Sequence, residues 1–290
     1  MYSANFDYYR PTTVAEAVAL LQSHKDAKVL AGGHSLLPAM KLRVSSPSAL
    51  VDIGRIKDLS GIRADGATLH IGALTTHAMV AASDVVKDKC PILAEAASMI
   101  GDVQVRNRGT IGGSLSHADP AADYPTVIVA LGATITATGV RGSRDISADQ
   151  FFKGLLTTAL DPAELITSVS VPAYGAMKGM GGAYVVHEHP ASSYAVVGVA
   201  AMVGLENGKC SRVVLVVGGA TANPVHAEAA EKALSGQAPS EASIAAAAAQ
   251  VAKAITDPLS DIYASGEYRT HLATVLAKRA LLTAAARAQA

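Results

Sequence analysis

The chain has 290 residues, half of them hydrophobic, enough for about two domains with cores of their own. Its 24 basic and 24 acidic side chains cancel, so no net field draws nucleic acid or an anionic membrane. Cys90 and Cys210 are the only cysteines and lack a C-x-x-C spacing, which excludes iron–sulfur ligation by this chain and fits reduced, cytoplasmic thiols.

Residues 1–11 contain no apolar signal region. Thr13 followed by Glu16 predicts a capping box at the start of a helix whose Val14, Val18 and Leu21 share one face. Residues 28–31 read as a short buried strand running into Gly32-Gly33-His34-Ser35, and 49–54 read as another strand. That alternation predicts a small α/β lobe ending near residue 56.

A second lobe opens with a strand at 68–73, and Thr75-Thr76 predicts a helix cap. Pro91 and Gly101 frame a helix over 92–100. The segment Arg106-Asn107-Arg108-Gly109-Thr110-Ile111-Gly112-Gly113-Ser114 then reads as a glycine loop. Asp123-Tyr124-Pro125 looks like a cap with Pro in the first turn, starting a helix to Leu131 whose positive end would face a ligand. Residues 133–138 and 165–171 alternate as strands, and Pro172 closes the lobe.

From residue 173 the composition changes. Residues 174–182, rich in Gly, Met and Ala, predict a linker. Residues 194–205 form the longest apolar run, too short to span a bilayer and read as core. Strands at 195–205 and 210–217 are joined through Asn207-Gly208, a strong hairpin signal. Helices are predicted over 226–234, 240–255 and 268–288, the last with Leu272, Val275, Leu276 and Leu282 facing the hairpin sheet. The alanine-rich stretch 244–249 is explained by helical propensity, and no internal repeat is found.

The chemistry-bearing stretches are the two glycine segments. Gly109, Gly112 and Gly113 leave the backbone free to approach a ligand, and Thr110 and Ser114 add hydroxyls beside N–H groups. An isolated Gly-Gly is more often a plain tight turn. Two such segments, each beside hydroxyls, would hold a diphosphate if the fold brings them together. Neither is a nucleotide fingerprint: the G-x-G-x-x-G spacing fails at residues 179–184, where Tyr184 ends the run, and a P-loop fails because Cys210 follows Gly208-Lys209. His187-Glu188-His189 would put two imidazoles on one side of a strand, with no third metal ligand evident. Arg106 and Arg108 face either a diphosphate, a neighbouring subunit or solvent.

The stretches AGGHSLLPAMKLR at 31–43 and GDVQVRNRGTIGGSLSHADPAADYP at 101–125 resemble the two FAD-binding signatures of the medium, flavin-carrying subunits of molybdenum hydroxylases. Within this xanthine dehydrogenase family the nearest likeness is to the aerobic carbon monoxide dehydrogenase branch. The resemblance implies an α+β fold: a two-lobed FAD-binding domain of the PCMH/vanillyl-alcohol-oxidase type over 1–172, with lobes 1–56 and 57–172. A C-terminal α+β domain over 173–290, a small antiparallel sheet packed with helices, would follow.

By the same resemblance, Val29, Leu30, Ala31, Gly32, Gly33, His34, Ser35 and Leu36 would cradle the diphosphate of a non-covalent FAD. Gly109, Thr110, Ile111, Gly112, Gly113 and Ser114 would form the second contact, and Asp123 a polar contact. Ile100, Ile166 and Tyr184 would neighbour the flavin ring; read from residues alone, all three serve equally as core. No catalytic residue and no metal ligand is implied. An electron-relaying flavin needs no proton-abstracting base, so Asp119, Asp123 and His117 are expected to cap or contact rather than catalyse.

The implied partners are a large subunit with a molybdopterin cytosine dinucleotide–molybdenum centre and a small subunit with [2Fe-2S] clusters, as a dimer of heterotrimers. A quinone or another acceptor would take the electrons, at a cytoplasmic location on the inner face of the membrane, with no membrane span and no nucleic acid. One departure stands out: relatives carry a Lys close after the aromatic at Tyr184, where this chain has Val185-Val186-His187, so His187 is expected to supply the charge near the flavin. The alternatives are the flavin subunit of a hydroxylase with a xanthine, aldehyde or aromatic substrate, a stand-alone flavin oxidase, and a flavin-free scaffold.

Overall fold

The computed structural model describes residues 2–175 and 177–290. Among the described residues, three larger sheets carry it, beside a two-stranded pair of Phe152–Gly154 with Thr157–Thr158. In the first lobe Ala49–Asp52 lies between Asp7–Tyr9 and Ala27–Leu30, all parallel, with helix Val14–Ser23 packed against them. Ala17, Val18 and Leu21 supply the buried face of that helix, so the apolar spacing read from the sequence is the one used. Thr13 accepts from Glu16 N as an N-cap, but the Glu16 carboxylate accepts from Thr12 N at 2.8 Å rather than closing a capping box on Thr13. The Asp7–Tyr9 strand was not anticipated.

The second lobe is a five-stranded antiparallel sheet in the order Ile62–Asp65, Thr68–Gly72, Leu165–Pro172, Thr134–Gly139, Gly142–Ser147. The two outer strands escaped the sequence reading because they are short, mostly exposed and turn-like in composition. Helices Pro91–Met99 and Asp123–Leu131 pack side by side beneath it. Every residue of Asp123–Leu131 is buried, as an all-round apolar helix must be. Its second neighbour explains why.

That neighbour is the C-terminal sheet, ordered Met180–Glu188, Ala195–Glu206, Lys209–Gly218, Val225–His226 and antiparallel throughout. One face lies on Asp123–Leu131, with Thr126 Oγ1 only 1.9 Å from where a methyl on Gly218 would sit. The long helix Gly266–Gln289 covers strands Met180–Glu188 and Ala195–Glu206. Enclosed between two helical layers, the central strand is buried over ten consecutive positions and reads as an unbroken apolar run. Asn207 and Gly208 both take positive φ at the hairpin, the backbone that a two-residue turn requires.

Four expectations are corrected here. Of the predicted linker 174–182, Met180 to Gly182 belong to a strand, while Ala176 lies outside the described residues. Gly181 is needed because a methyl there would meet Ala284 O at 2.1 Å, where the last helix crosses the strand. Val225–His226 is a short strand rather than the start of a helix, and the helix runs Glu228–Leu234. The helix predicted over 240–255 stops at Ala248 and gives way to a 3-10 turn Val251–Ala254, with Val251 and Ile255 both buried. In the last helix Val275 and Leu282 are only partly buried; Leu272, Ala273, Leu276, Ala277, Ala280 and Leu281 make the stripe. Among the described residues no helix is long and apolar enough to cross a membrane.

Candidate functional site

The strand Ala27–Leu30 ends in the first glycine corner, where Gly33 takes φ +76° before helix Leu36–Lys41. Among the described residues, no hydrogen bond engages the backbone N–H of Gly32, Gly33, His34 or Ser35. His34 Nδ1 instead donates to Gly32 O at 3.2 Å, pinning its ring to the corner.

The second segment is not the open loop that its glycines suggested. Thr110 is the N-cap of helix Ile111–His117, accepting from Gly113 N, and Gly112 and Gly113 are inside the first turn. Ile111 N donates to Thr75 O, Gly112 N to Ala73 O and Ser114 N to Thr110 O, so with Gly113 N on the Thr110 hydroxyl the N–H groups of Ile111 to Ser114 are spent within the protein. Its glycines serve close packing. A methyl on Gly112 would lie 2.6 Å from Ala73 Cβ, and one on Gly109 would lie 2.4 Å from His77 Nε2.

The two corners meet. A methyl on Gly32 would lie 2.0 Å from the carbonyl oxygen of Arg108 and 2.9 Å from Gly109 Cα, so backbone packs on backbone. They flank a cleft of about 780 Å³, within the usual range for a small-molecule site. Of the residues singled out from the sequence, Val29, Ala31, Gly32, Gly33, His34, Ser35, Leu36, Ile100, Gly109, Thr110, Gly112, Gly113, Ser114, Asp123 and Ile166 line it. Leu30, Ile111 and Tyr184 do not. Ile111 is core, and Tyr184 is buried behind the wall, its hydroxyl donating to Asp123 Oδ1 at 2.8 Å.

Asp123 itself is 6 % exposed. Burial pushes its carboxyl up to about 7, against the Tyr184 hydrogen bond that favours the ionised form, and Glu188 adds to the rise. His187 cannot bring charge to this wall. Its ring packs against Tyr268 on the last helix, on the sheet face opposite Tyr184, and His189 packs against Tyr263. Arg106 is likewise committed, donating to Ile100 O at 3.0 Å and Gly101 O at 2.7 Å at the end of helix Pro91–Met99, whereas Arg108 is exposed. His117 and Asp119 both line the cleft, 3.9 Å apart.

Several lining residues escaped the sequence reading. Ser192, Ser193 and Tyr194 reach the cleft from the loop joining Met180–Glu188 to Ala195–Glu206, Leu156 from the turn between Phe152–Gly154 and Thr157–Thr158, and Leu160 and Pro162 from the turn before Leu165–Pro172. Ser193 and Leu156 take positive φ, a backbone state that their residue types do not signal. His77 lines the cleft beneath Gly109; only its place after the predicted Thr76 cap was legible.

The donor set suits FAD: free N–H groups at one end for a diphosphate, apolar Ile100, Leu160 and Ile166 elsewhere for a ring. Residues 4–174 match the family model described as the FAD binding domain in molybdopterin dehydrogenase, and residues 182–284 match the CO dehydrogenase flavoprotein C-terminal domain. The chain is 40% identical to the carbon monoxide dehydrogenase medium chain of Afipia carboxidovorans, covering 100% of both chains. It is 39% identical to the 6-hydroxypseudooxynicotine dehydrogenase complex subunit alpha of Paenarthrobacter nicotinovorans, covering 100% of this chain and 97% of that one. Its fold superposes on the solved carbon monoxide dehydrogenase of Hydrogenophaga pseudoflava lacking the Mo-pyranopterin moiety with a TM-score of 0.95, at 42% identity and 99% coverage of each chain. These relatives are subunits of dehydrogenases, which does not favour a stand-alone oxidase. The chain belongs to the family of FAD-binding medium subunits of molybdenum hydroxylases, a family of oxidoreductase subunits.

Proposed function

We propose that this chain holds FAD non-covalently as the electron-relaying subunit of a molybdenum hydroxylase of the carbon monoxide dehydrogenase type. When bound, FAD supplies acceptance of electrons from [2Fe-2S] clusters on a small subunit and their delivery to a quinone or another acceptor, substrate being oxidised at a molybdopterin cytosine dinucleotide–molybdenum centre on a large subunit. The protein's part is to bind, orient and shield. The free N–H groups of Gly32 to Ser35 bind the diphosphate; the second corner, rigid because the N–H groups of Ile111 to Ser114 are satisfied, fixes the opposite wall. Ile100 and Ile166 present apolar surface to the ring and keep water from it. Asp123, whose carboxyl is pushed up to about 7 by burial, gives a polar contact in which the charged form is disfavoured. Tyr184 acts by holding Asp123 from behind the wall.

The carrying observation is the backbone contact of Gly32 with Arg108 and Gly109 beside unused N–H groups. We assign the FAD-binding domain to 1–172, in lobes 1–56 and 57–172, and the C-terminal domain to 173–290. The complex is a cytoplasmic dimer of heterotrimers docked at the inner face of the membrane. Carbon monoxide is the proposed substrate, although relatives of similar identity carry names with other substrates, because substrate is met on the large subunit. Purifying the chain tests the reading. A flavin absorbance band that is released by acid precipitation, and co-purification of a molybdenum-binding and an iron–sulfur subunit, are expected; a colourless chain overturns it.

A further inference from the structure

His77 is the first residue of helix His77–Ala82, and its backbone N–H is tied to Gly109 O at 3.0 Å. The ring is 5 % exposed, lines the cleft under the second corner, and makes no hydrogen bond or ion pair among the described residues. An imidazole sealed in core without a partner is costly, and such groups recur where a ligand completes them. Gly109 is what lets it come so close, since any side chain there would strike Nε2. The Nδ1 atom is fully enclosed. Beside it Tyr124 packs edge-on with ring centroids 5.3 Å apart, and its hydroxyl likewise has no partner among the described residues.

Resting on the FAD reading, we propose that His77 links cofactor binding to proton uptake: the imidazole is neutral while the cleft is empty and takes a proton from solvent when an anionic diphosphate lies between the glycine corners. The surroundings explain the direction. Burial, then His34 and Arg106, push the ring down to about 4 when nothing offsets them. His34, Arg106 and Tyr124 are what faces it from neighbouring elements; His117, Asp119, Asp123, Glu164, Tyr194 and Lys28 are the other titratable groups along the cleft. A diphosphate brings the negative charge that no side chain supplies to this ring. Below its raised value in the complex, His77 then carries a charge that favours retention, and the gain fades as pH rises through that value.

The test is FAD affinity of the full-length chain, read by flavin fluorescence quenching from pH 5.5 to 8, for the native protein and His77→Gln. If the ring regains its ordinary value in the complex, the native chain binds about tenfold more tightly at pH 5.5 than at pH 8. In H77Q that ratio shrinks to about twofold or less. Parallel profiles in the two chains overturn the role of His77 and leave FAD binding standing; no quenching in either overturns both. Should H77Q fold poorly, histidine-labelled NMR on the native chain decides: the ring titrates near about 4 without FAD and at least a unit higher with it. An unmoved titration sinks the proposal.

Discussion

At the first corner Gly32 to Ser35 carry N–H groups with no partner among the described residues; at the second, the N–H groups of Ile111 to Ser114 all point into the protein's own carbonyls and the Thr110 hydroxyl. Both are glycine-rich and both border one cleft, yet glycine does different work in each. In the first it gives positive φ at Gly33 and an open row of donors. In the second it removes side chains so that Ala73 and His77 can close against the backbone. One corner binds and the other shapes.

That division can be broken from either side. Gly112→Val forces a side chain into Ala73, so it should cost about 3 kcal/mol, as overpacking of a tight site does, and lower Tm before it alters affinity. Tyr184→Phe leaves Asp123 buried without its donor, at about 2 kcal/mol. Because the lost bond favoured the carboxylate, Asp123 moves further above its value of about 7, and the penalty should be larger at pH 8 than at pH 5 in urea titrations. Gly33→Ala meets a positive-φ backbone and should cost about 1 kcal/mol of stability while weakening FAD about tenfold, the reverse balance from Gly112. Ser114→Ala, removing only a hydroxyl at the shaping corner, should change FAD affinity by about twofold or less. If Gly33→Ala spares affinity and Ser114→Ala abolishes it, the assignment of the corners is wrong.

What was legible in the sequence follows the same line. Local signals were readable: Thr13 and Thr76 cap helices, and Asn207-Gly208 makes the hairpin turn. The alternating strands read at 133–138 and 165–171, observed as Thr134–Gly139 and Leu165–Pro172, and the apolar central strand followed from their patterns. Glycine was ambiguous. Gly181 and Gly182 look like a linker until a helix is laid across them, and Gly112 and Gly113 look like a donor loop until Ala73 takes the proton-bearing side of the first turn. His77 and Tyr184 differ from ordinary core residues only in what lies next to them, and His187 was misjudged because one step along a strand changes its face.

The helix Asp123–Leu131 has no side that faces water, and Gly218 of the other half rests on its Thr126. A fragment cut after residue 172 would leave this rod bare along one flank. Such a piece would be expected to clump rather than serve as a portable flavin cassette, which makes the C-terminal half a lid on the fold as well as a contributor to the cleft.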